Sequence, residues 1–168
     1  FVKDADEALA ETKGDPDGVK PDQIAQEIRC AELLSTPSLV SIGCASSTNL
    51  GGAHPEGQRF AYSYGICAGK GPKPVTLGGV CRSGAPCVKT VVAAINRSLA
   101  SGPAKDANVK ISEQSSALEH FAVTKTGLRF FVNDELPQAL QAAGAVDVPF
   151  RDLKSVLRED GPLAELLR

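Results

Sequence analysis

Leu50-Gly51-Gly52-Ala53-His54-Pro55-Glu56-Gly57-Gln58-Arg59-Phe60-Ala61-Tyr62-Ser63 runs from a paired glycine through a histidine into an alternating stretch. Two adjacent glycines allow positive φ or a close backbone approach, so the segment reads as a loop that delivers His54 between two strands. Upstream, Ser38 to Ser46 carries Val40, Ile42 and Cys44 at period two. Downstream, Phe60, Tyr62, Tyr64 and Ile66 alternate with Ala61, Ser63 and Gly65. Both stretches have the alternation of half-buried strands, which makes a β-hairpin the expectation. Two readings of the loop stand side by side. Its glycines serve turn geometry and His54 is solvated, or the loop forms part of a binding surface.

The surroundings bound the answer. A chain of 168 residues is expected to form one domain, 1–168, and at that length about 70% of the unfolded surface can leave water without help from a metal. Hydrophobic residues at 42%, charged residues at 23% and a formal charge of −2 describe an ordinary globule with no electrostatic reason to approach nucleic acid or anionic lipid. No run approaches the roughly 18 apolar residues of a membrane span. The first residues lack the apolar core of a signal peptide, and no methionine occurs anywhere. The chain is therefore expected to be a mature or trimmed piece whose targeting segment has been removed, touching a membrane only through a segment it does not contain.

Five cysteines, Cys30, Cys44, Cys67, Cys81 and Cys87, match neither a zinc-finger nor a Cys-x-x-C spacing. Folding a hairpin about Pro37 sets Cys30 opposite Cys44, within reach of a bridge that closes a short loop and contributes roughly 3 kcal/mol. The competing pair Cys44 with Cys67 would put Ser63 and Gly65 on the face of Val40 and Ile42, which parity opposes unless a bulge intervenes. Cys81 and Cys87 enclose Arg82-Ser83-Gly84-Ala85-Pro86, a loop able to fold back on itself. Cys67 is left over. Five reduced cysteines packed as small hydrophobes remain the alternative.

Along the chain, Asp4 to Lys13 reads as a short helix broken by Gly14-Asp15-Pro16-Asp17-Gly18, so 1–22 forms an N-terminal extension. The hairpin argument favours a strand from Asp22 to Ser35. Ala68 to Pro74 reads as a rigid turn before Val75-Thr76-Leu77. Val88, Val91, Val92, Ile95 and Leu99 recur at three- and four-residue steps, which predicts a helix from Pro86 or Cys87 to Ala100. Ala104 to Ser116 is polar and reads as a mobile loop or a short strand at Val109 to Ile111. Ala117 to Thr124 and Gly127 to Val132 flank Lys125-Thr126-Gly127 as a second hairpin, with the glycine serving the turn. A short helix from Pro137 through Ala143, a strand over Val146-Asp147-Val148 and a last helix over Arg151 to Arg158 complete the reading. Leu163, Leu166 and Leu167 suggest that the tail, 159–168, docks back. No internal repeat occurs.

Catalytic chemistry finds little footing. The only histidines are His54 and His120. His54-Pro55-Glu56 with Pro86-Cys87 shares part of the zinc-deaminase signature, but Lys89-Thr90 stands where a second cysteine is needed. No G-x-S-x-G turn and no phosphate-cradling glycine loop are present. His120 beside Phe121 reads as a structural histidine. Asp134-Glu135 reads as a solvated turn capping the Pro137 helix, or as paired carboxylates. No cofactor and no metal site are expected.

Leu39-Val40-Ser41-Ile42, Gly51-Gly52-Ala53-His54-Pro55, Gly69-Lys70, Val75-Thr76-Leu77, Gly127-Leu128-Arg129-Phe130-Phe131 and Val148-Pro149-Phe150-Arg151-Asp152-Leu153 follow one another in a definite order. In that order they resemble the extracytoplasmic domain shared by two bacterial proteins, the lysozyme-sensing anti-sigma factor RsiV and the peptidoglycan deacetylase PdaC. The resemblance covers about residues 30 to 158. It implies an α+β fold of mostly antiparallel sheet with two or three helices packed against it, a place outside the bacterial cytoplasm, and protein binding without catalysis, with lysozyme as a ligand. This chain departs from the family in its number of cysteines and carries no deacetylase metal motif. The candidate contact residues are Gly51, Gly52, His54, Glu56, Tyr62, Asp134 and Glu135, whose acidic members would complement a basic partner. Cell-wall glycan is the rival ligand, although the chain has no tryptophan and just two tyrosines, Tyr62 and Tyr64. A hydrolase using His54 with Asp134 or Glu135 is the third reading.

Overall fold

Thr36-Pro37-Ser38 reverses the chain, with Thr36 N–H donating to Leu39 O at 2.8 Å, and the two strands it joins run antiparallel with Cys30 directly opposite Cys44. The computed structural model describes residues 24–50, 56–67, 70–102, 104–137, 140–141 and 144–167. The helix expected at Asp4 to Lys13 and its glycine break lie outside the described residues, as does part of the segment expected to form a helix from Pro137 to Ala143.

The first sheet is antiparallel in the order β1 (Ile24–Ser35), β2 (Leu39–Leu50), β3 (Glu56–Cys67), β4 (Lys70–Pro74). β4 corrects the expectation of a rigid turn over Ala68 to Pro74. It pairs with β3 through Tyr64 opposite Pro74 and Gly65 opposite Lys73. Its prolines are tolerated because β4 is an edge strand and owes no amide hydrogen to a further neighbour. Two short or long helices follow: α1 (Leu77–Val80), opened by Thr76, whose Oγ1 accepts from Gly79 N–H at 3.1 Å, and α2 (Cys87–Ser101). α2 buries Cys87, Val91, Ala94, Ile95 and Leu99 on the face that the valine spacing predicts. The second sheet has the order β5 (Phe121–Val123), β6 (Gly127–Phe131), β7 (Ala145–Pro149), also antiparallel, and runs into α3 (Phe150–Leu153). Two antiparallel sheets with three helices among the described residues make an α+β fold.

The core lies between α2, the second sheet and the C-terminal segment. Val91, Ile95, Phe121, Phe130, Leu128, Val148, Leu153, Leu157 and Leu163 are all buried there, with the rings of Phe121 and Phe130 5.4 Å apart. The first sheet meets this core through its small-residue face. Leu39, Ser41, Ala61 and Ser63 are buried, while Tyr62 and Ile66 on the opposite face are 43% and 44% exposed. Period two dictates that aromatic and small residues part to opposite faces. The face turned inward is the small one because β5 comes within hydrogen-bonding distance of it, and no aromatic ring fits in that gap.

A β-bulge between Glu32 and Leu34 lets both faces be used. The extra residue, Leu33, lies over Gly43, where a methyl group would come within 2.8 Å of its Cδ1, and Leu34 then turns into the core beside Ser41. Without the inserted residue Leu34 would point to the other face.

Two further expectations change. Ala104 to Ser116 is not free: Asn96 of α2 clamps Ile111, with Oδ1 accepting from Ile111 N–H at 2.8 Å and Nδ2 donating to Ile111 O at 3.0 Å, and Ile111 is buried. A one-turn 3-10 helix, Lys105–Ala107, precedes it. The final helix stops at Leu153 instead of reaching Arg158, because the backbone beyond it pairs with the segment after α1. Arg82 N–H donates to Val156 O at 2.8 Å, Arg158 N–H to Val80 O at 2.9 Å, and Arg82 Nε to Leu157 O at 2.7 Å. The tail docks through Leu163, and Thr36 Oγ1 donates to Glu165 in that tail.

Both predicted bridges form: Cys30–Cys44, spanning 14 residues of sequence, and Cys81–Cys87, spanning 6. The glycine of the second hairpin has a different role from the one expected. A methyl group at Gly127 would sit 2.2 Å from Val148 O and 2.9 Å from Pro149 Cα, so the position is closed by the backbone of β7 and not by turn geometry. Gly127→Ala is expected to lower unfolding free energy by about 3 kcal/mol in a urea titration, since the obstacle is backbone that cannot step aside.

The edge of β5 supplies a second test. Ser63 Oγ donates to Phe121 O at 3.1 Å, Val123 N–H donates to Ser63 Oγ at 2.9 Å and to Ser41 Oγ at 3.1 Å, and the two hydroxyls are 2.7 Å apart. With the Ser63 proton committed to Phe121 O, Ser41 is the donor in the hydroxyl pair. Ser63→Ala should cost about 1–2 kcal/mol, while Ser41→Ala/Ser63→Ala, which strands the Val123 amide in the interior, should cost about 3 kcal/mol. Equal losses for the single and double variants would show that the hydroxyls do not share this amide.

Candidate functional site

β3 has two edges with different fates. Cys30 and Cys44 stand 4.1 Å apart at Cα, the spacing of a non-hydrogen-bonded antiparallel pair. Alternation from that point across β2 directs the amides and carbonyls of even-numbered β3 residues to β2 and those of Arg59, Ala61 and Ser63 away from it. Ser63 O accepts from Val75 N–H at 2.7 Å, where the chain continues from β4. Two steps earlier β4 has ended, and Arg59 O accepts instead from Asn133 Nδ2 at 2.8 Å. The turn after β6 thus docks against the edge of β3 beyond the reach of β4.

That turn is a 3-10 helix, Asn133–Glu135, closed by Glu135 N–H to Val132 O at 3.2 Å. Asn133 is buried, and its Oδ1 accepts no hydrogen bond among the described residues. The oxygen lies against Gly144, where a methyl group would approach it to 2.5 Å, so a glycine at 144 is what lets Asn133 reach β3. Asp134 and Glu135 remain exposed. Glu135 Oε1 accepts from Ser115 Oγ at 2.6 Å, and Ser115 also accepts from Ala117 N–H at 3.2 Å at the start of the 3-10 turn Ser116–Leu118.

Between the β3 edge and these two turns lies a cleft of about 340 Å³ that includes Phe60, Tyr62, His120, Asn133, Asp134 and Glu135 in its lining. Tyr62 packs edge-on against His120 at 5.6 Å between ring centroids and against Phe60 at 5.8 Å. The cleft therefore has an aromatic wall with exposed ring surface and an acidic wall of two consecutive residues, Asp134 and Glu135. Tyr62, Asp134 and Glu135, separated by more than seventy residues in the chain, are brought together. His120, read from the sequence as structural, joins them because it immediately precedes β5 and β5 is pinned to Ser41 and Ser63. Its position beside Phe121 was the only local signal, and that signal contained nothing about Tyr62.

The remaining candidates separate from this group. Gly51, Gly52 and His54 lie outside the described residues. Glu56 opens β3 opposite Thr48. Tyr62 lies six positions further along the strand, about 20 Å away by backbone rise. Among the described residues no group of three or more His, Cys, Asp or Glu side chains is placed to hold a metal ion, and no helix is long and apolar enough to cross a membrane. Chemically, the cleft offers two carboxylate acceptors, a hydroxyl and aromatic edges, with Arg59 as a cationic residue of the same lining, the means for recognising a polar or hydroxyl-rich ligand with cationic groups.

No protein-family model matches the sequence, and no curated protein matches it at a significant level. Solved structures do resemble it. A DUF3298 family protein from Pseudomonas aeruginosa PAO1 superposes with a TM-score of 0.60 at 17% identity, over 80% of this chain and 62% of the other. A member of the same family from Bacteroides fragilis superposes with a TM-score of 0.61 at 17% identity, over 99% of this chain and 66% of the other. This chain spans less than two thirds of either protein's length. At such identity the likeness establishes a shared fold: the chain has the architecture seen in DUF3298 family proteins of two bacteria.

Proposed function

We propose that this domain is an extracytoplasmic, non-catalytic recognition module that takes a basic protein, of which lysozyme is the type, at the cleft between β3 and the Asn133–Glu135 turn. The observation that carries the reading is the juxtaposition of Tyr62, 43% exposed and braced by His120, with the exposed carboxylates of Asp134 and Glu135. An aromatic anchor held rigid by a neighbouring ring loses little entropy on binding, and interface energy concentrates at such residues. Carboxylates beside it steer a cationic partner and suppress wrong ones. The two disulfides favour an oxidising compartment, where such bridges persist.

Cell-wall glycan is the second reading, supported by the same exposed tyrosine ring, on which a sugar face could stack. The two readings respond differently to charge. A protein ligand held by steering carboxylates loses affinity with added salt, whereas stacking of a neutral sugar does not.

Calorimetric titration with hen-type lysozyme is the direct measurement. Saturable binding is expected, weakened at least about tenfold by Tyr62→Ala and by Asp134→Lys, and left within about twofold by Glu56→Lys at the far end of β3. Failure of the unmodified domain to bind lysozyme saturably, with binding of soluble peptidoglycan fragments instead, would replace the protein-ligand reading with the glycan one.

A further inference from the structure

β1 is the open edge of the first sheet among the described residues, and from Ala25 to Ala31 every residue of it is exposed. An edge strand this long presents a row of unpaired amides and carbonyls, a template for another strand. Native edges are commonly protected by charge, and this one carries Glu27, Arg29 and Glu32. Between the first two stands Ile28, the most exposed large hydrophobic residue among those described, at 55%.

The backbone phase of this edge is known. Cys30 and Cys44 form a non-hydrogen-bonded pair, so the N–H and C=O of Cys30 point away from β2, and with them those of Ile24, Gln26, Ile28 and Glu32. A second antiparallel copy related by a two-fold axis keeps these even-numbered residues paired with one another whichever residue of β1 it is centred on, so charge distinguishes the registers: centring on Glu27 or Arg29 sets like charges directly opposite across the axis. Centring on Ile28 sets Ile28 opposite its own symmetry mate, Gln26 opposite Cys30, and Ile24 opposite Glu32. The same register places Glu27 of each copy directly opposite Arg29 of the other, in the non-hydrogen-bonded positions where side chains approach most closely. Centring on Gln26 sets Glu27 against Ala25, and centring on Cys30 sets Glu27 against Leu33 and Arg29 against Ala31, so neither brings the opposite charges together.

The Glu27 carboxylate and Arg29 guanidinium lie on one face of the strand and already bond to one another, Arg29 Nε to Glu27 Oε1 at 2.7 Å, with side-chain exposures of 80% for Arg29 and 60% for Glu27. Two such pairs brought together around the axis form a closed alternation of charge. On the opposite face the two Ile28 side chains meet and lose their exposure to water. Charges that would repel most strands from this edge are thus arranged to accept a copy of the same strand.

We propose that the domain forms an isologous dimer through antiparallel pairing of β1 with β1 of a second copy, in the register centred on Ile28, joining two four-stranded sheets into one continuous sheet. The charge pattern makes this register testable without disturbing the fold, since both charged side chains are largely solvent-exposed. Arg29→Glu places glutamate opposite glutamate twice in a homodimer, and Glu27→Arg places arginine opposite arginine twice. A mixture of the two variants restores both opposite-charge pairs in the heterodimer alone.

Sedimentation velocity over a concentration series of the 168-residue chain reads the outcome. Concentration-dependent dimerisation is expected for the unmodified chain, weakened about tenfold or more in each single variant and recovered to within about threefold on mixing the two. The exchanged pair Glu27→Arg/Arg29→Glu should dimerise like the original. A monomer at all concentrations, a dimer indifferent to these charges, or a mixture no tighter than its separate components would overturn the proposal.

Discussion

Two serine hydroxyls hold the two sheets of this protein together. β5 is an edge strand whose outward amide at Val123 and carbonyl at Phe121 would be buried without partners, a cost of about 1–3 kcal/mol for each group. Ser41 of β2 and Ser63 of β3 face them from the other sheet and satisfy both. Much else depends on this contact. It requires the small-residue side of the first sheet to face inward, and it fixes the position of His120 just upstream of β5. By bringing β6 and its following turn beside β3, it also creates the cleft.

The aromatic side of the first sheet is the consequence seen from outside. Phe60, Tyr62 and Tyr64 form a run of rings, with successive centroids 5.8 Å and 6.5 Å apart, on a face that the core does not cover. Stability is drawn elsewhere, from α2, the second sheet and the docked tail. The first sheet contributes Leu34, Leu39 and Val75 to the core, and its outer half is stapled by Cys30–Cys44 where hydrophobic burial is thin. The second bridge holds the loop between α1 and α2, the same loop that Arg82 ties to the C-terminal segment through Leu157 O and Glu159. The first bridge thus lies where the core is thin, whereas the second is anchored in the core through the buried Cys87.

Much of this was legible in the residues. Alternation located β2 and β3, hairpin turns located β1 and β6 beside them, the valine spacing located α2, and the turn at Pro37 was sufficient to pair Cys30 with Cys44. The site was legible in part: Tyr62, Asp134 and Glu135 were singled out one by one, from exposed-face periodicity and an acidic pair, but nothing local connected them. β4 was hidden by its own composition, since Lys70-Gly71-Pro72-Lys73-Pro74 looks like a turn unless an edge position makes its missing amides harmless. The final helix ends at Leu153, short of Arg158, because the backbone beyond it is claimed by Val80 and Arg82, which no local feature of the sequence announces.

What the sequence determined by itself is periodicity and sidedness: which residues share a face, where the chain reverses, and which cysteines can meet across a short hairpin. These depend on interactions between near neighbours, whose geometry is set by the pitch of a strand or a helix. Which face is buried, where an edge strand finds its hydrogen-bond partners, and which distant side chains share a cleft were decided only by tertiary structure. Buried backbone groups must be satisfied, and whether two serines about twenty residues apart or an Asn133 side chain will satisfy them depends on how the sheets come together in space.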